Sequence, residues 1–416
     1  MARERAGFST ERLGKVDAVL TRKYVDGGFF PGILTQVWRK GELVHSGMSG
    51  SMDLARDKKM REDAIFRIYS MTKPITSVAL MMLAEEGKVA LEDDVHVHIP
   101  QFKNLRVYQS GMPSLVENTS GQYITVPPKR RMKVVDLVTH TSGLSYGFMT
   151  RTEVDASYRR NKIGDFQTPG GLEAFINQLA ETPLDFSPGD YWNYSVSIDV
   201  MGYLVQKLSG MTFGEFLRTR LFEPLGMKDT SFSVPADKMD RFCSCYMPKA
   251  GGGLKLQDDA GKSTYAEPPK LESGGGGLVS TAHDYMRFCR MMLGGGTLDG
   301  VQILSPKTVA MFGMNLLPGN KLMADMSLAA TFSEAGYGGI GFSIGCGVTM
   351  DIAKARIPGT PGEFFWGGAA STAFWIDPKE DLAVVFMTQV MGTDARLTLR
   401  RDLRTLVYSA MTESLA

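Results

Sequence analysis

The most apolar segment of the chain spans residues 75–84, where no charged side chain interrupts the hydrophobic pattern. A helix that is apolar on every side is buried in the protein interior rather than laid on its surface. Gly87 follows at the position where helices commonly end with a glycine. The pattern therefore predicts a core helix that begins near Ser70 and ends before Gly87.

The two ends of the chain carry the apolar runs that are typical of strands. A helix opened by Ser9 precedes two such runs near the N-terminus, which a short polar turn joins into a predicted hairpin. These runs cover residues 33–38 and 43–46, and three more follow in the final third at 341–348, 363–376 and 382–390. An amphipathic helix closes the chain, with a predicted buried face of Leu399, Leu403, Leu406 and Val407.

The middle of the chain has mainly helical patterns, at 134–140, 171–180 and 197–208. Two stretches show neither the helical nor the strand period of apolar residues. We predict surface loops over 103–135 and an irregular segment over 234–272.

Strands at both ends with helices between them predict an α/β fold with two parts. An antiparallel sheet flanked by helices would be built from both chain ends, with a mainly helical domain inserted between them. The expected α/β domain comprises residues 1–85 and 225–416, and the expected helical domain comprises residues 86–224. A cleft between two such layers is a common place for a small-molecule site.

Composition excludes several classes of function. The 416 residues include 46 basic and 45 acidic side chains, a net charge of +1, so we expect no binding to nucleic acid or to an anionic membrane. Four cysteines are too few for a disulfide scaffold, and Cys243-Ser-Cys245 lacks the second ligand pair of a zinc site.

The N-terminus lacks an apolar signal region, which predicts a cytoplasmic location. The pattern leaves the oligomeric state open.

The chemistry of the core helix centres on its first turn, where Ser70 and Lys73 lie three residues apart. That spacing makes them neighbours on one helix face. The helix N-terminus favours negative charge, and a lysine that opens an apolar helix must be desolvated or paired, which changes its pKa. A helix cap followed by a lysine that reaches the surface would explain Ser-x-x-Lys equally well on the motif alone.

A second motif, Tyr191-Trp-Asn-Tyr194-Ser-Val196, follows a Pro-Gly turn, where aromatic residues more often pack than react. Together with Ser70-Met-Thr-Lys73, however, it resembles the serine β-lactamase-like (β-lactamase/transpeptidase-like) fold. The resemblance is to the family VIII carboxylesterases, which are similar to class C β-lactamases and penicillin-binding proteins. It covers most of the chain and extends to four further motifs: His140-Thr-Ser-Gly-Leu144, Glu223-Pro-Leu-Gly-Met227, Gly274-Gly-Gly-Gly-Leu-Val-Ser280 and Trp366-Gly-Gly368.

The resemblance implies a role for each of these residues. Ser70 would be the nucleophile, and Lys73 and Tyr194 would share the work of the general base. The backbone N–H groups of Ser70 and Ala369 would form the oxyanion hole. The residues expected to bind substrate are Trp366, Gly367, Gly368 and Tyr191. The resemblance implies no metal and no organic cofactor.

Two departures from the β-lactamase pattern bear on the substrate. Val196 stands where β-lactamases carry Asn, and Trp366 stands where their strand motif begins with Lys. Without that amide and that cation, the site favours neutral, apolar substrates. We therefore expect a serine carboxylesterase that hydrolyses small or short-acyl esters through an acyl-enzyme on Ser70, and the resemblance allows weak β-lactam hydrolysis besides.

Three other functions remain open from the sequence. A β-lactamase or D,D-peptidase, and an acyltransferase that passes the same acyl group to an alcohol, would both use Ser70 in this way. A binding protein on a catalytically retired fold would not.

Other motifs carry less weight. Ser145 and Ser343 each lie within a Gly-x-Ser-x-Gly sequence, but neither follows a strand and precedes a helix as a nucleophile elbow requires. His96 and His98 alternate along a loop without an accompanying acid cluster, which disfavours a metal site.

Overall fold

The computed structural model describes residues 4–112, 122–328 and 338–416. Its helices, in chain order, are α1 (Thr10–Leu20), α2 (Thr72–Glu85), α3 (Val95–His98), α4 (Val134–Val138), α5 (Glu153–Arg160), α6 (Gly171–Ala180), α7 (Ser197–Ser209), α8 (Phe213–Leu217), α9 (Glu223–Leu225), α10 (Ala282–Leu293), α11 (Pro306–Met311), α12 (Met323–Met326), α13 (Ile352–Ala355) and α14 (Ala395–Ser409).

The strands are β1 (Glu4–Arg5), β2 (Phe8–Ser9), β3 (Gly32–Arg39), β4 (Glu42–Asp53), β5 (Lys58–Lys59), β6 (Phe66–Arg67), β7 (Val107–Met112), β8 (Gln122–Val126), β9 (Cys245–Pro248), β10 (Leu254–Asp258), β11 (Val279–Ser280), β12 (Thr297–Leu298), β13 (Val301–Gln302), β14 (Ile340–Phe342), β15 (Gly347–Thr349), β16 (Phe364–Gly367), β17 (Ala373–Asp377) and β18 (Leu382–Met387).

An eight-stranded antiparallel sheet joins the two ends of the chain. Its order is β14-β15-β16-β17-β18-β3-β4-β5, so the N-terminal hairpin lies beside the last strand, with Val37 opposite Val384. Side chains alternate between the faces of a strand, and β18 divides its apolar residues in this way. Val384 and Phe386 pack with α1 and α14, whereas Ala383 and Val385 belong to the larger core around α2 and α10. The predicted sheet and its origin in both chain ends are confirmed.

The predicted core helix is α2, and every residue from Thr72 to Leu83 is buried. Its apolar surface packs against α7, which comes from the middle of the chain. Burial on all sides explains why this helix has no polar face. The helix begins two residues later than Ser70, because Tyr69–Met71 forms a short 3₁₀ turn that leads into it.

Parts of the loop predictions were wrong. Residues 103–135 contain the hairpin of β7 and β8, and residues 234–272 contain the pair β9 and β10. Short strands that lie outside the central sheet leave a weak hydrophobic period, which accounts for the error. Residues 113–121 of the first segment lie outside the described part of the chain.

Two predicted strands each proved to be a hairpin. The run 341–348 divides into β14 and β15, and the run 363–376 into β16 and β17. Gly345 (φ +69°) and Ser371 (φ +72°) adopt the left-handed backbone that each tight connection needs. Helices α3 to α9 lie within residues 86–225, and the division into two domains stays a prediction. No helix of the described residues has both the length and the hydrophobicity required to cross a membrane.

Candidate active site

Ser70 lies on a strained turn between β6 and α2. The residue before it, Tyr69, has φ +42°, which is uncommon for a residue other than glycine. The amide of Met71 donates to the carbonyl of Ile68 over 3.0 Å and closes the turn. Because the turn ends where α2 begins, the half-buried Ser70 hydroxyl is held at the N-terminus of a core helix.

Lys73 is completely buried one turn further along, and its ammonium nitrogen has three polar neighbours. Nζ lies 3.2 Å from Ser70 Oγ, 3.1 Å from the Tyr146 hydroxyl and 2.6 Å from the carbonyl oxygen of Gly275. It also lies 4.4 Å from the centre of the Tyr194 ring. Burial lowers the pKa of Lys73 from 10.5 to about 7, although the nearby charge of Asp199 opposes that shift. Near neutral pH a large fraction of this amine is therefore unprotonated.

Tyr194 completes the cluster. It is buried, and its hydroxyl accepts a hydrogen bond from Trp366 Nε1 over 3.3 Å and interacts with the Ser70 hydroxyl. Burial raises the pKa of Tyr194, while its interactions with Ser70 and Trp366 oppose that rise. The structure thus brings Ser70, Lys73 and Tyr194 together, as the sequence predicts, with an amine and a phenol on the same hydroxyl.

The end of β16 runs beside the Ser70 turn. A Cβ atom on Gly368 would lie 2.4 Å from the carbonyl oxygen of Ile68, and one on Gly367 would lie 2.1 Å from Nη2 of Arg400. Gly368 therefore allows the strand end to approach the turn, and Gly367 leaves room for the Arg400 guanidinium. Ala369 follows directly and is half-buried, so its amide belongs to the chain segment next to Ser70. Its role as an oxyanion donor stays a prediction.

The two aromatic residues predicted to bind substrate occupy different surroundings. Trp366 is only 3% exposed and lies behind Tyr194, whereas Tyr191 is 44% exposed and packs edge-on against Phe186. The structure therefore places Trp366 next to Tyr194 in the cluster, whereas Tyr191 packs against Phe186.

The alternative motifs have structural explanations. Ser145 and Ser343 are buried, and the Ser343 hydroxyl donates to the carbonyl of Met311 over 2.8 Å. His98 pairs with Asp93 at 2.9 Å. Within the described ranges, no three His, Cys, Asp or Glu side chains come together in a group that could hold a metal ion.

Two residues of this site escape prediction from the sequence, namely Tyr146 and Asp199. Tyr146 follows Ser145 in the Gly143–Gly147 segment, which matches the Gly-x-Ser-x-Gly motif. The residue of this segment that contacts Lys73 is Tyr146, through its hydroxyl. Asp199 is a buried acid in the first turn of the largely apolar α7. An isolated carboxylate in an apolar helix close behind the tyrosine motif is the signal that could have identified it.

Taken together, these groups can perform acyl transfer. A hydroxyl at a helix N-terminus faces an amine whose pKa has been lowered, and a phenol lies within hydrogen-bonding reach. This is the usual requirement for an activated serine nucleophile without an imidazole.

Comparisons with known proteins identify the family of the chain. Protein Rv1367c of Mycobacterium tuberculosis is 34% identical over 371 residues, which cover 88% of each chain. Esterase EstB of Burkholderia gladioli is 28% identical over 402 residues, with 91% of each chain covered. The solved structure of EstCE1, described as a hydrolase with promiscuous acyltransferase activity, superposes with a TM-score of 0.77 at 24% identity, covering 96% of this chain and 99% of that chain. The family model for beta-lactamase matches residues 19–409, and the protein therefore belongs to the beta-lactamase family.

Proposed function

We propose that the protein is a serine carboxylesterase that hydrolyses small or short-acyl esters through a covalent acyl-enzyme on Ser70. The observation that carries the proposal is the 3.2 Å distance between Ser70 Oγ and the buried amine of Lys73. The similarity to an esterase over nine-tenths of both chains supports the same chemistry.

In the proposed first step, Ser70 Oγ attacks the ester carbonyl and its proton passes to Lys73. The backbone N–H groups of Ser70 and Ala369 stabilise the oxyanion, a contribution typically worth about 3 kcal/mol of the barrier. The carbon–oxygen bond to the alcohol then breaks, Tyr194 gives its hydroxyl proton to the departing alkoxide, and Lys73 passes the proton taken from Ser70 on to the phenolate. Water, activated by the same pair, attacks the acyl-enzyme and releases the acid.

The surroundings of the site favour neutral and apolar substrates. Trp366 supplies a neutral donor where β-lactamases carry a lysine, and Val196 replaces their asparagine. Phe148 is 63% exposed and stacks on Tyr146 with the ring centroids 4.7 Å apart, so an aromatic surface lies beside the residue that contacts Lys73. Apolar groups of an ester are stabilised by such a surface, whereas a carboxylate would gain nothing from it.

The experiment compares turnover of p-nitrophenyl butyrate and nitrocefin by the wild-type protein, Ser70→Ala and Ser145→Ala. The proposal expects faster turnover of the ester, loss of both activities in Ser70→Ala, and wild-type rates in Ser145→Ala. Faster turnover of nitrocefin would favour the β-lactamase or D,D-peptidase alternative. Ester hydrolysis that persists in Ser70→Ala would overturn the proposed mechanism.

A second candidate function is acyl transfer to an alcohol, which the description of EstCE1 favours. It needs the same acyl-enzyme and differs only in the acceptor. Product analysis after adding a primary alcohol separates the two functions, because a transferase forms a new ester in place of the free acid.

A further inference from the structure

The amine of Lys73 can act as a base only when its lone pair points at Ser70. An unprotonated amine has two N–H donors and one lone pair, and Nζ has three polar neighbours. When the Gly275 carbonyl and the Tyr146 hydroxyl each accept one N–H, the lone pair faces Ser70 Oγ. The groups that hold this carbonyl and this hydroxyl in place therefore decide whether Lys73 is aimed correctly.

Asp199 holds both of them. Its Oδ1 accepts the amide N–H of Gly275 over 3.0 Å and the hydroxyl of Ser273, and its carboxylate also accepts the hydroxyl of Tyr146. The peptide of Gly275 thus donates to Asp199 on one side, and its carbonyl accepts from Lys73 on the other. Lys73 is therefore connected to the Asp199 carboxylate in two ways, through the Gly275 peptide and through the Tyr146 hydroxyl.

The close packing explains the glycine at position 275. A Cβ atom there would lie 2.5 Å from Asp199 Oδ2 and 2.8 Å from the Tyr146 hydroxyl, so any other residue would separate the two. The loop is also fixed to α2, because Thr76 Oγ1 donates to the carbonyl of Gly274 over 2.7 Å. The glycine run of the sequence therefore forms a tight bridge between α2 and α7.

We propose that Asp199 is a positioning residue for the Ser70 reaction: its carboxylate fixes the Gly275 peptide and the Tyr146 hydroxyl, which aim the Lys73 amine at Ser70, and its negative charge favours the protonated form of that amine. The proposal rests on the function proposed above. Burial raises the pKa of Asp199, whereas the charge of Lys73 and the hydrogen bonds from Ser273 and Gly275 oppose that rise. Three donors and no acceptor at its side chain match an ionised carboxylate.

The groups that face Asp199 come from several elements. Lys73 of α2, Tyr146 of the segment before α5 and Tyr194 of the segment before α7 all feel its charge. His140, next to α4, is buried and feels the charge of Lys73, and burial lowers the pKa of this histidine. Glu272 lies beside Ser273 in sequence, but its carboxylate accepts the amide of Gly214 over 2.7 Å. Burial raises the pKa of Glu272 and lowers that of Lys73 to about 7, so Lys73 changes its protonation near neutral pH.

The test is the pH dependence of Ser70 labelling by a fluorophosphonate, measured in the wild-type protein and in Asp199→Asn. An asparagine keeps the size of the side chain and an acceptor for Gly275 but removes the charge. Without that charge the amine loses its proton at lower pH, so the acid limb of the labelling rate should shift down by about one pH unit. At pH 8 the rate should fall at least tenfold, because the asparagine amide donates to Tyr146 where the carboxylate accepted.

A wild-type acid limb in a folded Asp199→Asn protein would overturn the inference while leaving the esterase proposal intact. Absence of labelling in the wild-type protein would instead count against the esterase proposal itself. Thermal unfolding separates loss of folding from loss of rate.

A second variant keeps the inference testable if Asp199→Asn does not fold. Tyr146→Phe retains the ring and its stacking on Phe148 and removes only the hydroxyl. We expect kcat for p-nitrophenyl butyrate to fall about tenfold with little change in KM, since one of the two acceptors of Lys73 is lost. A wild-type kcat in Tyr146→Phe would contradict the proposed positioning. In a folded double variant, the combined loss of kcat should be smaller than the product of the two single losses, because both substitutions act through Lys73.

Discussion

The indole nitrogen of Trp366 donates a hydrogen bond to the hydroxyl of Tyr194 over 3.3 Å. Trp366 begins the strand motif in which β-lactamases carry a lysine, so a neutral donor replaces a cation beside the phenol. A donor at this oxygen stabilises the phenolate, and it does so without offering a positive charge to a substrate carboxylate. The contact therefore links the altered motif both to the proposed proton transfer by Tyr194 and to the proposed preference for neutral esters.

Replacing Trp366 by phenylalanine should slow ester hydrolysis about tenfold. The change removes the hydrogen bond to Tyr194 but keeps an aromatic ring, and a bond of this kind contributes on the order of 1 kcal/mol or more when the acceptor gains charge. Steady-state kinetics with p-nitrophenyl butyrate would show the loss in kcat.

Trp375→Phe is the matched control for this prediction. Trp375 is also buried in the sheet, and its indole nitrogen has no hydrogen-bond partner among the described residues. A comparable loss of kcat in both variants would attribute the effect to packing and contradict the role assigned to the Trp366 donor.

Replacing Gly368 by alanine should reduce kcat/KM at least a hundredfold. The new Cβ would lie 2.4 Å from the carbonyl oxygen of Ile68 and would push the end of β16 away from the Ser70 turn. Because catalysis depends on oxyanion donors placed to within about an ångström, such a displacement is costly. Gly14→Ala, at a position in α1 where a Cβ meets no atom within 4 Å, should leave kcat/KM unchanged and so serves as the control. Full activity in Gly368→Ala would show that the position of the end of β16 does not affect catalysis.

The lowered pKa of Lys73 should also appear in the stability of the protein. Between about pH 7 and pH 10.5 the unfolded chain binds a proton at this residue that the folded protein does not bind. The free energy of unfolding therefore rises with pH across this window, by roughly 1 kcal/mol per pH unit from this residue. Lys73→Met should remove that rise, which urea denaturation at pH 7.5 and pH 9 would detect.

Lys15→Met removes a lysine from the exposed side of α1 and should keep the pH dependence of the wild-type protein. Equal slopes in the wild-type protein and in Lys73→Met would mean that Lys73 keeps an ordinary pKa in the folded state. The amine would then be protonated near neutral pH and could not serve as the base for Ser70.

The sequence contains enough information to predict the central sheet and the core helix, because each leaves a strong hydrophobic period. Residues 74–84 of α2 are all apolar or small, and β18 is apolar along its whole length. The hairpin of β7 and β8 could not be predicted in this way. Its strands lie outside the central sheet, and exposed residues such as Ile124 weaken the alternation.

Within the site, local spacing accounts for what could be predicted. Ser70 and Lys73 are three residues apart, and one helical turn is enough to bring them together. Tyr146 and Gly275 contact Lys73 across 73 and 202 positions of sequence, and Asp199 contacts Gly275. These contacts depend on how α2 packs on α7 and on the path of the loop that contains the glycine run from Gly274. The sequence of no single segment determines either of these.

Fluorophosphonate labelling followed by peptide mapping decides whether Ser70 is the nucleophile. Trypsin should release Ser70 within the peptide 68–88, because the Lys73-Pro74 bond resists cleavage, and fragmentation then separates Ser70 from Ser77. We predict one adduct per chain, on Ser70, and none in Ser70→Ala. An adduct on Ser145 or Ser343, or an active esterase that takes up no label at all, would contradict the proposed acyl-enzyme.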